Sequence, residues 1–166
     1  MDAALKFLNI LQVLDRHGVD FILVGGVAAI LEGAPVSTFD LDVVVLPTLE
    51  NRERLLSALV DLEARYFDPA GRHILPDLPK LETMRLHRLL TRHGPLDVLQ
   101  TIGKDLRYED LAGETEVYEV GGLSVRTLRL EMIIRSKEEA NREKDQAVLP
   151  LLRQTLRMKK ASLRAG

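Results

Sequence analysis

A short apolar run that ends in two glycines is the feature that most restricts the fold of this chain. The run 21–24, Phe-Ile-Leu-Val, predicts a buried strand, and Gly25 and Gly26 follow it directly. Residues without a Cβ allow a sharp turn and let another group approach the backbone closely. Where such a turn leads into a helix, which we predict over residues 27–31, backbone N–H groups are free to meet an anion such as phosphate.

A pair of aspartates stands at the head of the next strand. Asp40 and Asp42 flank Leu41, and the β-branched run 41–46 follows. Side chains alternate along a strand, so both carboxylates are expected on one face, where they repel each other unless a cation lies between them. Alone, the diglycine could be a plain turn and the pair could face solvent. Together they predict a phosphate site with Mg²⁺ or Mn²⁺, cations that prefer oxygen ligands.

A third acid lies inside a later apolar strand. Asp97 stands between Leu96 and Val98, where an aspartate is either a stranded polar residue or is turned toward the first pair. Three carboxylates around two metal ions suit in-line phosphoryl or nucleotidyl transfer. In that arrangement Asp97 is a metal ligand and a general base for an acceptor hydroxyl.

Composition excludes several classes of protein. The 166 residues are 46% hydrophobic and 29% charged with a net charge of −2, which is typical of a globular domain and not of a disordered chain. Cysteine is absent, which excludes disulfides, thiolate zinc sites and a cysteine nucleophile. Without a membrane-length apolar run or a secretory signal, we expect a cytoplasmic protein with no membrane partner. The histidines lack metal-ligand spacing; they are His17, His73, His87 and His93.

The remaining patterns predict an α/β (α+β) fold in which helices pack on a mixed β-sheet and further helices end the chain. We expect one domain over residues 1–166, with a core at about 20–127 and C-terminal helices at about 128–164. Two β-hairpins are predicted, 84–90 with 96–100 and 117–120 with 123–127. Further predicted helices are 3–17, 49–65 capped by Thr48, 131–139 and 142–149, and the segment 68–80 is predicted as a loop, with or without one short turn of helix. At Pro150 we expect a kink or a new helix.

The motifs resemble the polymerase-β-type nucleotidyltransferase superfamily. Gly-Gly, a spacer, a Thr-x-Asp-x-Asp segment beginning at Thr38 and a later strand aspartate carry the resemblance. The segment 125–145 looks like the C-terminal signature of small bacterial members, which include proteins of toxin–antitoxin and abortive-infection systems and small antibiotic nucleotidyltransferases. The resemblance spans roughly residues 21–152.

This resemblance implies transfer of a nucleoside monophosphate from a nucleoside triphosphate to a hydroxyl acceptor. Asp40, Asp42 and Asp97 would hold the metal ions, and Asp145 would orient a neighbouring base or touch the nucleotide. The other implied nucleotide-binding residues are Gly25, Gly26, Thr38, Lys137, Arg142 and Lys144. The implied partners are a protein, RNA or small-molecule acceptor, a cognate toxin or antitoxin, and a dimer mate.

Two positions depart from the pattern of that superfamily. Val36 stands where many members have a basic residue two positions before the threonine. Gly26 stands where small members often have serine, which removes one hydroxyl contact to phosphate. An alternative therefore stays open, in which a nucleotidyltransferase fold has lost catalysis and serves as a binding module, an antitoxin or regulator that acts through a partner protein.

Overall fold

The computed structural model describes residues 3–165, which form nine strands and seven helices and end in two helices. The strands are β1 (Phe21–Val24), β2 (Leu41–Val45), β3 (Arg65–Tyr66), β4 (Leu86–Thr91), β5 (Gly94–Leu99), β6 (Thr101–Ile102), β7 (Leu106–Arg107), β8 (Thr115–Val120) and β9 (Leu123–Leu128). The helices are α1 (Ala3–Arg16), α2 (Gly25–Leu31), α3 (Leu49–Asp61), α4 (Leu78–Thr83), α5 (Tyr108–Leu111), α6 (Leu130–Ala140) and α7 (Glu143–Ala165).

A seven-stranded mixed sheet organises the fold, in the order β3-β4-β5-β2-β1-β9-β8. β2 is parallel to β5 and β1 is parallel to β9, whereas the other neighbours in this sheet are antiparallel. β6 and β7 form a separate two-stranded sheet. The predicted α/β (α+β) class with a mixed sheet is confirmed, as are both predicted hairpins, β4–β5 and β8–β9.

The core lies between the sheet and the helices packed on it. The central strands are apolar at nearly every position, and Leu23, Val43 and Leu96 are fully buried. Helix α1 contributes Ile10 and Leu14 to the same cluster, and it packs against α3, while α6 packs against α7. Each fully buried leucine or isoleucine contributes about 1.5–3 kcal/mol of transfer free energy, so the central strands are held firmly in register.

Two predicted helix boundaries were wrong for local reasons. Helix α2 begins at Gly25 instead of residue 27, so both glycines belong to its first turn. Helix α3, capped by the Thr48 side chain as predicted, ends at Asp61, because Glu63 adopts a left-handed backbone that stops the helix before β3. The loop predicted over 68–80 does contain the start of a short helix, α4, which the side chain of Asp77 caps.

The two closing helices are separated by Asn141. Its φ of 52° places it in the left-handed region that commonly ends a helix. Helix α7 then runs on through Pro150 to Ala165, so the helix neither stops nor restarts at the proline. No helix within residues 3–165 combines the length and the apolar character that crossing a bilayer requires.

Candidate active site

One row of cross-strand neighbours runs across four adjacent strands of the sheet. Val24 of β1 is opposite Asp42 of β2, Asp42 is opposite Asp97 of β5, and Asp97 is opposite Arg88 of β4. Directly opposite residues project from the same face of a sheet. With about 4.8 Å between strands, the row spans about 14 Å.

A cavity of about 630 Å³ lies over this row. Its walls come from the start of α2, the segment before β2, the face of β4 and β5, and the facing sides of α6 and α7. The sequence-predicted site residues that line it are Gly25, Gly26, Thr38, Asp40, Asp42, Asp97, Lys137, Arg142 and Lys144. Asp145 is placed elsewhere, because it is fully buried beneath Arg142.

The two glycines are required by close contacts across the cavity floor. Gly25 has a φ of 68°, and a Cβ there would collide with the carboxylate of Asp42. A Cβ on Gly26 would lie 2.6 Å from the Cβ of Thr38. The absence of serine at position 26 therefore has a local cause: the threonine fills the space that a serine would need. The Thr38 hydroxyl donates a hydrogen bond to the carbonyl oxygen of Asp40, 3.1 Å away.

The three carboxylates are electrostatically coupled. Burial, followed by the charges of Asp97 and Asp40, raises the pKa of Asp42 to about 7. Burial and the charge of Asp40 also raise the pKa of Asp97, against the lowering effect of Arg88. Asp42 and Asp97 are directly opposite neighbours in β2 and β5, so their negative charges repel each other. A cation bound between them would reduce this repulsion.

The acids line one cavity but converge only in part. Asp42 and Asp97 are held together by the register of β2 and β5, whereas Asp40 lies one residue before β2 begins. Within residues 3–165, no three His, Cys, Asp or Glu side chains are grouped closely enough to hold a metal ion. The donor set nevertheless fits Mg²⁺ or Mn²⁺ chemically, because these ions are usually held by one or two carboxylates together with water and substrate phosphates, and Asp42 and Asp97 are directly opposite each other.

Asp145 orients two bases at the cavity wall. It is fully buried and accepts hydrogen bonds from the backbone N and Nε of Arg142, at 3.1 and 2.7 Å, and from a terminal guanidinium nitrogen at 3.2 Å. Lys137 Nζ lies 3.5 Å from its other oxygen. Burial alone would raise the pKa of Asp145, but the Arg142 hydrogen bonds and the Lys137 charge outweigh it and hold the pKa below its usual value. Asp145 therefore holds Arg142 and contacts Lys137 without lining the cavity itself.

Arg88 is a cavity residue that sequence reasoning missed. Its Nε lies 3.9 Å from a carboxylate oxygen of Asp97, and its side chain is 59% exposed. The turn of the β4–β5 hairpin, which pairs Thr91 with Gly94, fixes the register that brings Arg88 opposite Asp97. The neighbouring His87 points to the other face, where its ring contacts the Tyr66 hydroxyl at 2.7 Å.

Comparisons with solved structures show which fold this is. No protein-family model matches the chain, and no curated protein sequence matches it significantly. The lincosamide antibiotic adenylyltransferase LnuA, in a lincomycin-bound crystal structure, has a TM-score of 0.60 at 12% identity, covering 90% of this chain and 96% of its own. ANT(2'')-Ia, in complex with adenylyl-2''-tobramycin, has a TM-score of 0.56 at 17% identity, with coverages of 93% and 89%. A nucleotidyltransferase-like protein from Paracoccidioides brasiliensis has a TM-score of 0.52 at 16% identity, with coverages of 94% and 75%. At these identities the likeness establishes a nucleotidyltransferase-like fold.

Proposed function

We propose that this chain is a nucleotidyltransferase that moves a nucleoside monophosphate from a nucleoside triphosphate to a hydroxyl acceptor, with Mg²⁺ or Mn²⁺ held by Asp40, Asp42 and Asp97. One observation carries the proposal. A single cavity contains a diglycine turn in contact with Asp42, a second carboxylate directly beside it, and bases from two helices on the opposite wall. Phosphate binding and metal binding are thus combined in one place.

The triphosphate is assigned to the side of the cavity formed by β1, α2 and the closing helices. Gly25 and Gly26 let it approach the backbone, and the Thr38 hydroxyl lies beside them. Lys137 and Lys144 supply positive charge from α6 and α7. Arg142 adds the guanidinium N–H groups that Asp145 leaves open, since a guanidinium carries five and Asp145 engages two of its nitrogens.

The residues of the row divide the chemistry between them. When bound, the divalent cations polarise the phosphoryl oxygens and lower the pKa of the acceptor hydroxyl. The acceptor oxygen forms a bond to the α-phosphorus as the bond from that phosphorus to the pyrophosphate oxygen breaks. Asp97, which lies on the side away from the diglycine, receives the hydroxyl proton. Asp42 and Asp40 would hold the cations beside the transferred group.

The function is tested by magnesium-dependent pyrophosphate release from a panel of nucleoside triphosphates. We expect Asp42→Asn and Asp40→Asn to lower the rate by a factor on the order of a hundred or more while the far-ultraviolet circular dichroism stays the same. Asp105→Asn is the matched control, because Asp105 is an exposed, ion-paired aspartate that does not line the cavity. Wild-type transfer by Asp42→Asn to a confirmed acceptor would overturn the metal assignment.

The biological setting of the proposed enzyme rests on the sequence resemblance. That setting is a toxin–antitoxin or phage-defence system, whereas the cytoplasmic location and the single domain over residues 1–166 are expected from composition and length. Its acceptor is a protein, an RNA end or a small molecule, and a dimer mate completes the acceptor site. The structures of LnuA with lincomycin and of ANT(2'')-Ia with an adenylylated tobramycin support small molecules as one acceptor class for this fold.

A second candidate function is a binding module that has lost catalysis. Val36 lines the cavity where members of the resembled superfamily often carry a base, and within residues 3–165 no three acids or histidines are grouped closely enough to hold a metal ion. Calorimetric titration with ATP and Mg²⁺ distinguishes the two functions, because the module predicts no metal-dependent heat and the enzyme predicts a saturable one.

A further inference from the structure

The row across the sheet has a direction that separates the two substrates. It begins at Val24, next to the diglycine, and ends at Arg88, about 14 Å away. In phosphoryl-type transfer the attacking and leaving oxygens lie roughly in line on opposite sides of phosphorus. A triphosphate at the β1 end therefore leaves β4 and the outer side of β5 to the acceptor.

We propose that the acceptor binds over β4 and β5 and that it is a small alcohol with an anionic group, which Arg88 binds, and an apolar body, which Leu86 and Leu99 contact. This inference rests on the proposed function, because it assigns the acceptor end of the same cavity. It predicts discrimination against polycationic acceptors.

Arg88 has donors to spare for such an anion. A guanidinium carries five N–H groups in a planar fork that matches a carboxylate or a phosphate. Within residues 3–165 its side chain has one ion-pair contact, the 3.9 Å approach to Asp97, and it is 59% exposed while lining the cavity. The remaining N–H groups lie beside the carboxylate that would receive the hydroxyl proton.

An apolar surface lies beside this charge. Leu86 is directly opposite Leu99, two residues along each strand from Arg88 and Asp97, so all four side chains share one face. Leu86 is 42% exposed, and Leu99 and Ile102 line the cavity with it. Exposed apolar side chains grouped in a concave site are typical of a ligand's binding surface.

The charges of the cavity exclude a polycation. Among residues 3–165 the acids that line it are Asp40, Asp42 and Asp97, which the proposed metal ions occupy. Two further acids near this end are already ion-paired and do not line the cavity: Asp105 with Arg85 at 2.8 Å and Glu139 with Arg135 at 3.0 Å. An ammonium group at the acceptor end would meet the Arg88 guanidinium, and the carboxylate beside it, Asp97, already pairs with Arg88 and is assigned to a metal ion.

The test measures pyrophosphate release from ATP and Mg²⁺ with three alcohols that share one isobutyl group. They are 2-hydroxy-4-methylpentanoate, which is anionic, 4-methylpentane-1,2-diol, which is neutral, and leucinol, which is cationic. We expect kcat/KM for the hydroxy acid to exceed that for the diol by about tenfold, the value of one charge-assisted contact. Arg88→Gln should bring this ratio close to one. Arg85→Gln, an exposed arginine three residues away and outside the cavity, should leave it unchanged.

The outcomes separate this inference from the proposed function. The ratio compares the hydroxy acid with the diol in the same variant. A general loss of activity, caused by an effect of Arg88→Gln on Asp97, lowers both rates equally and therefore cancels. An unchanged ratio in Arg88→Gln, or a preference for leucinol or tobramycin, overturns the inference while the enzyme stands. Pyrophosphate release that depends on Asp42 but that no alcohol accelerates would mean that water is the acceptor, and it also overturns the inference while the enzyme stands. Absence of any nucleotide binding or release overturns the proposed function, and this inference with it.

Discussion

Replacing Asp145 by asparagine tests how the cavity wall is built. The carboxylate is fully buried and accepts bonds from Arg142 at 2.7, 3.1 and 3.2 Å, with Lys137 at 3.5 Å. Charge-assisted hydrogen bonds contribute about 1.5–3 kcal/mol each, and breaking a buried pair costs about 3–5 kcal/mol. Because Arg142 is 58% exposed and stays solvated, we expect the lower end, about 3 kcal/mol of unfolding free energy.

Urea denaturation and calorimetry measure the two consequences of Asp145→Asn. For a domain of this size about 3 kcal/mol corresponds to a Tm lower by roughly 6–12 °C. Nucleotide affinity should fall by about tenfold in addition, because Arg142 and Lys137 lose the anchor that holds them at the cavity wall. Glu138→Gln is the control, since its ion pair with Arg153 is exposed at both ends and contributes about 0–1 kcal/mol. Equal stability and equal nucleotide affinity in the two variants would refute this reasoning.

Two further predictions concern the diglycine and acid stability. Gly25→Ala should abolish nucleotide binding and lower the unfolding temperature by more than Gly122→Ala does. Both glycines have a positive φ, but only a Cβ at position 25 would collide with another side chain, that of Asp42. Equal shifts of the two variants in thermal unfolding would contradict this collision. The folding stability should fall as the pH drops below about 4.5, the usual pKa of glutamate. The reason is that the pKa of Glu32 is held below this value, because hydrogen bonds from Tyr118, Lys159 and the Leu130 amide outweigh the effect of burial. The ionised Glu32 contributes fully to stability above that pH, and this contribution is lost as the pH falls through the lowered pKa. Glu32→Gln should therefore flatten the dependence of stability on pH, measured by urea denaturation. An unaltered pH dependence would show that Glu32 is not its cause.

The parts of the fold that local patterns specify could be predicted from the sequence. The run 21–24 with its two glycines, the β-branched strand after Asp40 and the two hairpins all depend on neighbours within a few residues, and the structure has them. The end of α3 was missed because Glu63 adopts a left-handed backbone conformation, which a glutamate rarely adopts and which its residue type therefore does not predict.

The parts of the site that depend on distant packing could not be predicted in the same way. Asp145 lies in a charged stretch that normally predicts a solvated helix face, and only the turn at Asn141 and the packing of α7 on α6 bury it. Lys159 contacts Glu32 across 127 positions of the chain, a distance that no short pattern bridges. The pairing of Arg88 with Asp97 could have been predicted, because the hairpin turn fixes the register of β4 on β5. An arginine in an exposed strand position, however, does not by itself indicate a functional role.

Binding of Mn²⁺ followed by electron paramagnetic resonance, with and without α,β-methylene-ATP, tests the central claim most directly. Asp42 and Asp97 lie opposite each other in a cavity that also contains the diglycine, and we attribute this arrangement to a divalent cation and a triphosphate bound together. Wild type and Asp105→Asn should bind Mn²⁺ more tightly in the presence of the nucleotide, and Asp42→Asn should lose that gain by at least about tenfold. Equal Mn²⁺ affinity in all three proteins, with no effect of the nucleotide, would contradict the account.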